Sequence, residues 1–303
     1  MIEKRLFSLL IFISCSLSAQ IQGVVKDSLT GKPIPYVNIW VQNENIASTS
    51  EENGSFSLDV KQEKMLIFSA LGYETKKNSS TNEVVFLKPI AYELKEIAIE
   101  RPKFSKEIEV GNYESSGFRI GLGNINSAIF FNPDDVQLQY PILKEIKFQT
   151  KSDLEDAKIR IKFLSVNSDS SPGISLLEKE IIVVVKKGKN VNIVDLKTHK
   201  FKIPIEGFYI SFEKLLIDEN KYFHEFSYKN KQGKKVTVKQ MSIEPELCFV
   251  PEYKDIVWQS SINGKWTKTK KHILKNPKSY ENLLMRKYHD KYLAPSMKIT
   301  LTN

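Results

Sequence analysis

Short runs in which apolar and polar residues alternate carry most of this chain. Val37, Ile39 and Val41 fall on one face of an extended segment, with Asn38, Trp40 and Gln42 on the other. Phe56 and Leu58 interleave with Ser55 and Ser57 in the same way. A period of two is the mark of a half-buried strand. Ile21–Val25, Met65–Ala70, Val84–Leu87 and Leu94–Ile99 extend the series, and Asn43–Ser50 reads as a polar connection. Turns punctuate it: Gly31 lies in the Asp27–Lys32 stretch, and Asn53-Gly54 is a hairpin signal because both residues tolerate positive φ. Residues 20–100 therefore predict a small sandwich of seven strands.

The pattern resumes after a gap. Residues 101–116 are charged and broken by Pro102, and they read as a linker. From 117 to 303 a second β-rich unit is expected. Ile142–Thr150 and Ala157–Phe163 alternate, Glu180–Val185 is rich in β-branched residues, and Val191–Leu196 and Phe208–Phe212 follow. The spacing suggests a larger, jelly-roll-like β-sandwich. One short helix is expected near the C-terminus: Asn276-Pro277 makes a cap and first turn, and Tyr280, Leu283, Leu284, Tyr288 and Tyr292 recur at helical spacing. Met297–Leu301 reads as a closing strand. The fold class is all-β.

The N-terminus departs from this pattern. Lys4 and Arg5 precede an apolar run from Leu6 to Ser14, and small residues lead to Ala19. That is a secretory signal over residues 1–19, cleaved after Ala19. It places the chain among exported proteins of the periplasm, outer membrane or cell surface. The run is too short to span a bilayer, which takes about 20 apolar residues. Phe12-Ile13-Ser14-Cys15 resembles a bacterial lipobox with Phe where Leu is usual. Lipidation at Cys15 is the alternative to plain cleavage, and membrane contact is expected only in that case.

Charge separates the two units. Residues 20–100 hold 8 basic and 11 acidic residues, net −3; residues 101–303 hold 35 and 24, net +11. A positive half suits an acidic partner such as an anionic lipid headgroup, polysaccharide or nucleic acid, but a lysine-rich solvated surface is the preferred reading. Only four of those cations are arginine, the more specific binder. With export, nucleic acid is not an expected partner. After cleavage Cys248 alone remains, so no internal disulfide is possible.

Three ordered stretches carry a family resemblance. They are Gly31-Lys32-Pro33-Ile34-Pro35-Tyr36-Val37-Asn38-Ile39, then Thr49-Ser50-Glu51-Glu52-Asn53-Gly54-Ser55-Phe56, then Ile67-Phe68-Ser69-Ala70-Leu71-Gly72-Tyr73-Glu74. Over about residues 21–100 the chain resembles the carboxypeptidase regulatory-like domain. The resemblance implies a transthyretin-like Greek-key sandwich without catalytic residues. Such domains accompany zinc carboxypeptidases and precede the plug of TonB-dependent transporters of Bacteroidetes. Too few residues follow here for a plug and barrel. The second unit resembles, more weakly, uncharacterised β-sandwiches found with this domain in Bacteroidetes.

Chemistry is sparse. His199, His224, His272 and His289 show no zinc spacing, and no Gly-x-Ser-x-Gly elbow is present. Gly117, Gly121 and Gly123 lack a phosphate-loop context. No catalytic residue, metal or cofactor is expected, so an enzyme is not. The acids at Asp134-Asp135, Asp153, Glu155, Asp156 and Asp218-Glu219 read as loop residues; a hydrolase pair assembled from such acids is the alternative. The strongest candidate for binding is aromatic. Trp258–Thr269 reads as a hairpin around Asn263-Gly264. A two-residue loop would set Ile262 against Lys265 and Ser261 against Trp266, putting Trp258 and Trp266 on opposite faces. One tryptophan would be core. The other, beside Lys265 and Lys268 with Tyr253 nearby, would stack on a sugar or a partner protein. The reading is a non-catalytic binding or accessory module for an outer-membrane or surface protein, or for a polysaccharide. A glycan-acting hydrolase and a structural subunit of an outer-membrane complex are the alternatives.

Overall fold

A computed structural model of the chain describes residues 20–60, 62–90, 106–114, 118–119, 125–134, 137–230, 232–276, 278 and 285–303, with backbone alone at Gln20, Phe118 and Arg119. The signal segment with Cys15, the Leu94–Ile99 run, Asp135, the three glycines from Gly117 to Gly123, and Pro277, Tyr280, Leu283 and Leu284 of the expected helix lie outside these residues. Two compact units divide at residues 90 and 91.

The first unit has β1 (Gln20–Asp27), β2 (Asn38–Val41), β3 (Ala47–Thr49), β4 (Ser55–Asp59), β5 (Met65–Ser69), β6 (Lys76–Ser79) and β7 (Val84–Leu87). One sheet has the order β4-β1-β7 and the other β3-β2-β5-β6. β1 is antiparallel to β4 and parallel to β7. The alternation does what it foretells: Ile39 and Val41, Phe56 and Leu58, Leu66 and Phe68, and Val85 and Leu87 all point into one core with Val25 and Val37.

Two strands lack that signal. β3 lies inside the stretch read as a polar connection, and its Ala47–Thr49 pairs with Asn38–Trp40. β6 is Lys-Lys-Asn-Ser. Both are sheet edges, where polar and lysine residues guard open backbone groups and hydrophobic periodicity fades. Asn53-Gly54 also differs from expectation. It joins no hairpin, because β3 and β4 belong to different sheets; it passes the chain across the sandwich. Gly54 has φ +78°, and a Cβ there would sit 2.7 Å from the Val25 carbonyl oxygen. Only glycine fits that crossing.

The second unit begins with β8 (Glu107–Asn112), β9 (Phe118–Arg119), β10 (Asn126–Phe131), β11 (Ile142–Ser152), β12 (Ala157–Val166), β13 (Pro172–Ser175), β14 (Ile181–Val185) and β15 (Gly188–Asp195). It continues with β16 (Phe208–Lys214), β17 (Lys221–Lys229), β18 (Lys235–Ile243), β19 (Glu246–Glu252), β20 (Val257–Ser260), β21 (Trp266–Lys268), β22 (Tyr292–Pro295) and β23 (Met297–Thr302). One seven-stranded sheet runs β13-β12-β16-β10-β20-β21 with β14 also on β12. The other runs β22-β19-β11-β23-β8, with β15 on β11 and β9 on β19. Their inner faces share one core. Phe148 of β11 meets Phe212 of β16 at 5.0 Å between ring centroids, and Ile146, Ile161, Phe163, Ile210, Phe249 and Ile299 belong to the same cluster. The larger sandwich expected here is present.

Two expectations change. β8 lies within the residues read as linker and pairs along its length with β23, Glu107 opposite Thr302. Its residues Glu-Ile-Glu-Val look like a charged spacer, yet Ile108 and Val110 pack on the core. The expected helix does not reach Tyr292. A single 3-10 turn holds Arg286–Tyr288, and Tyr292 opens β22. Tyr288 is fully buried and its hydroxyl donates to the Phe249 carbonyl at 3.1 Å.

β17 and β18 stand apart as a two-stranded hairpin. The buried Asn220 side chain fixes its base, with Oδ1 accepting from the Lys158 amide at 2.8 Å and Nδ2 donating to the Lys158 and Leu215 carbonyls.

Candidate functional site

The inner faces of β10, β16 and β20 fill the core, so their outward residues are free to build something else. On that outer face Ala128, Leu164 and the aromatic ring of Tyr209 are buried, with Phe130, Val166, Trp258 and Trp266 packed around them. Tyr209 lies 5.0 Å from Phe130 between ring centroids and meets Trp258 edge-on at 6.5 Å and 87°. Its hydroxyl donates to the Ser170 carbonyl. Burial pushes the phenol up to about 12, with Asp169 adding to the shift and the Trp258 side chain opposing it.

A cleft of about 660 Å³ opens beside this cluster. Phe130, Tyr209 and Trp258 contribute its aromatic lining, while Asn132, Gln137, Glu252, Asp255 and Lys268 supply polar groups. Lys268 Nζ is 2.9 Å from Asp255 Oδ2 and 5.9 Å from the Trp258 ring centroid. Glu252 Oε1 accepts from the amides of Tyr253 at 2.8 Å and Lys254 at 2.9 Å. The volume is that of a small-ligand site, and the lining is an even mix of polar and apolar surface.

The tryptophan hairpin exists, but in a different register. Trp258 pairs with Lys268 and Ser260 with Trp266. The loop therefore runs from Ser261 to Lys265. Gly264 takes φ +75°, its amide donates to the Ser261 carbonyl at 3.1 Å, and Asn263 Oδ1 accepts from the Lys265 amide at 3.1 Å. The expected pairing of Ser261 with Trp266 is off by one residue, and a one-residue slip turns a side chain to the other face. Trp258 and Trp266 thus share a face, both half-buried, rather than dividing into one core and one exposed ring.

Of the five residues singled out from sequence, Trp258 and Lys268 line the cleft. Trp266 backs it through the aromatic cluster. Lys265 is exposed on the loop, and Tyr253 is 75% exposed with Lys291 Nζ 4.6 Å from its ring centroid. Neither of these two lines the cleft. Sequence reasoning missed Tyr209 and Phe130. The signal was present: in Phe208-Tyr209-Ile210-Ser211-Phe212 the aromatic at 209 breaks the otherwise polar outward face.

Three of the loop acids that a hydrolase pair would draw on are engaged locally. Asp134 Oδ1 accepts from the Gln137 amide at 2.8 Å, Glu155 Oε2 from the Lys187 amide at 3.1 Å, and Glu219 pairs with Lys158 at 2.6 Å. The acids that do line the cleft, Glu252 and Asp255, had no distinguishing sequence pattern. Cys248 is buried within β19, and His289 Nδ1 accepts from the Leu274 amide at 3.1 Å. Among the described residues no group of three or more His, Cys, Asp or Glu is placed to hold a metal ion, and no helix is long and apolar enough to cross a membrane.

Comparison with known families adds one finding. Residues 21–102 match the model of the CarboxypepD_reg-like domain. The match covers the first unit and is similar in extent to the span the sequence motifs indicated. It does not reach β8 or any part of the cleft. No curated protein matches the chain.

Proposed function

We propose that this is a non-catalytic recognition protein of the bacterial cell envelope, and that the cleft of its second unit takes a saccharide segment of a glycan. One observation carries the reading. Trp258 and Tyr209 line a cleft of about 660 Å³ whose polar groups are amides, carboxylates, a serine and two lysines. Aromatic rings suit the apolar face of a sugar, and amides and carboxylates suit its hydroxyls. The regulatory-like domain at residues 21–102 brings no catalytic machinery with it. The signal pattern at residues 1–19 is the support for an envelope location.

The second reading, a glycan hydrolase, is favoured by the presence of Glu252 and Asp255 in one cleft. Binding fits these acids better. A general acid needs surroundings that keep it protonated, as an apolar pocket does. Asp255 is instead 44% exposed and paired with Lys268, and Glu252 is already an acceptor for two amides.

A glycan array followed by calorimetry on any hit is the test. Trp258→Ala should weaken binding about tenfold with the melting temperature nearly unchanged. Glu252→Gln with Asp255→Asn should leave released reducing ends at background, as in the parent. Release by the parent that this double variant abolishes would establish the hydrolase. Loss of folding in both Trp258→Ala and Trp266→Ala would show that the rings serve the core only.

A further inference from the structure

Among the described residues, the β17–β18 hairpin is a long element that stands outside both cores from Tyr222 to Ser242. Lys221 to Lys229 pairs with Lys235 to Ile243 in nine consecutive steps, and no residue from Tyr222 to Ser242 enters a hydrophobic cluster. Two-stranded hairpins alone in water are marginal. This one is held at its base by Asn220, and its amides and carbonyls pair with no third strand among the described residues.

Its two faces differ. On one, Tyr222, His224, Phe226 and Tyr228 follow each other with ring centroids 6.0, 6.3 and 6.4 Å apart and interplanar angles of 22°, 27° and 31°. Val238 lies opposite Phe226, and Val236 opposite Tyr228. The result is one continuous apolar strip about 20 Å long. Phe226 is 45% and Tyr228 50% exposed. The other face is mixed: Lys221, Lys229, Lys235 and Lys239 stand there with Glu225, Thr237 and the exposed Phe223 and Met241.

Charge says what covers the strip. Residues 221–243 hold six lysines and one acid, net +5. Lys229 and Lys235 pair at the end of the ladder, with Lys234 in the turn. The single acid, Glu225, sits opposite Lys239. Aromatic and aliphatic groups on one face of a ribbon only two strands wide, with long-stemmed lysines on the other face and in the turn, match the boundary between acyl chains and anionic headgroups. There rings settle at the interface and lysines reach phosphate. A sugar chain or a nucleic-acid strand calls for separate open ring faces, whereas this strip is a row of neighbouring rings in mutual contact.

We propose that the β17–β18 hairpin docks the second unit on an anionic phospholipid surface, with the Tyr222–Tyr228 strip against the membrane. The docking does not depend on lipidation at Cys15, nor on the saccharide reading of the cleft.

Flotation of the full chain with lipid vesicles tests it. The parent should float with vesicles containing phosphatidylglycerol, should stay behind with phosphatidylcholine alone, and should be released by salt. Phe226→Ser combined with Tyr228→Ser should lower partition at least about tenfold at an unchanged melting temperature. Lys229→Glu, Lys234→Glu and Lys235→Glu together should do the same. Trp258→Ala should float like the parent, which separates this surface from the cleft. No flotation of the parent with anionic vesicles, or equal flotation of the hairpin variants, overturns the proposal. Retention by an acidic polysaccharide or protein without vesicle binding overturns it too.

Discussion

Asp27 ends β1 and holds the turn that follows. Its Oδ1 accepts from the amides of Leu29 and Thr30, each at 2.8 Å, and its Oδ2 accepts from the Tyr73 hydroxyl at 2.9 Å. The Thr30 amide is the main cause of a carboxyl pKa below the usual range; the Leu29 amide and the Tyr73 hydroxyl act in the same direction. A folded pKa below the unfolded one adds stability that is present above the unfolded value of about 3.9. That stability is lost as pH falls through the folded value. Thermal melts of the first unit between neutral pH and pH 2 should show this acid loss. Asp27→Asn should melt lower at pH 7 and lose less on acidification; an unchanged acid slope would remove Asp27 from the account. Tyr73 lies in a motif that marks the family resemblance, and Asp27 in a turn read directly from sequence. Their contact joins residues 46 apart, which no local pattern reports.

Elements were legible where burial repeats and illegible where it does not. β2, β4, β5, β12 and β16 were read from periodicity because one face of each enters a core. β3 and β6 are polar edges and were missed. β17 and β18 were missed as well, although Tyr222, His224, Phe226 and Tyr228 alternate as cleanly as any core strand. The tryptophan hairpin was found but placed one residue out of register, because its Gly264 turn closes five residues rather than two. β8 was hidden by its glutamates, although its partner strand was foreseen. Its role gives a direct test. A second unit begun at residue 117 leaves the β23 edge bare and uncovers core near Ile108 and Val110, and it should aggregate. One begun at residue 91 should remain monomeric by light scattering. Equal behaviour would make β8 dispensable.

Across the whole molecule, the second unit also buries charge in compensating groups. Arg160 is buried with Glu180 at 3.2 Å and Glu213 at 3.5 Å, and Lys162 completes the group at 2.9 Å from Glu213. Lys214 of β16 pairs at 2.8 Å with Glu246 of β19, so an ion pair links the two sheets. Three cations balance three acids in these groups, so the net +11 of the second unit lies outside them. Removing one member strands its counter-charges. Arg160→Met should cost about 3–5 kcal/mol in urea unfolding. Adding Glu180→Leu and Glu213→Leu should recover much of that; a neutral Arg160→Met would mean that water reaches the site.

The strand that closes the second sandwich comes late in the chain, far from the partner it covers. β23 lies between β11 and β8, and β8 finds its partner some 190 residues downstream, as Glu107 meets Thr302. Such a sheet cannot zip up as the polypeptide emerges; its middle stays vacant until residues 297–302 arrive. A chain ended before residue 297 lacks an interior plank, not a trimmed edge. The architecture thereby makes such termination conspicuous: copies without this strand present two bare β edges to proteases, and only a chain that reaches residue 302 conceals them.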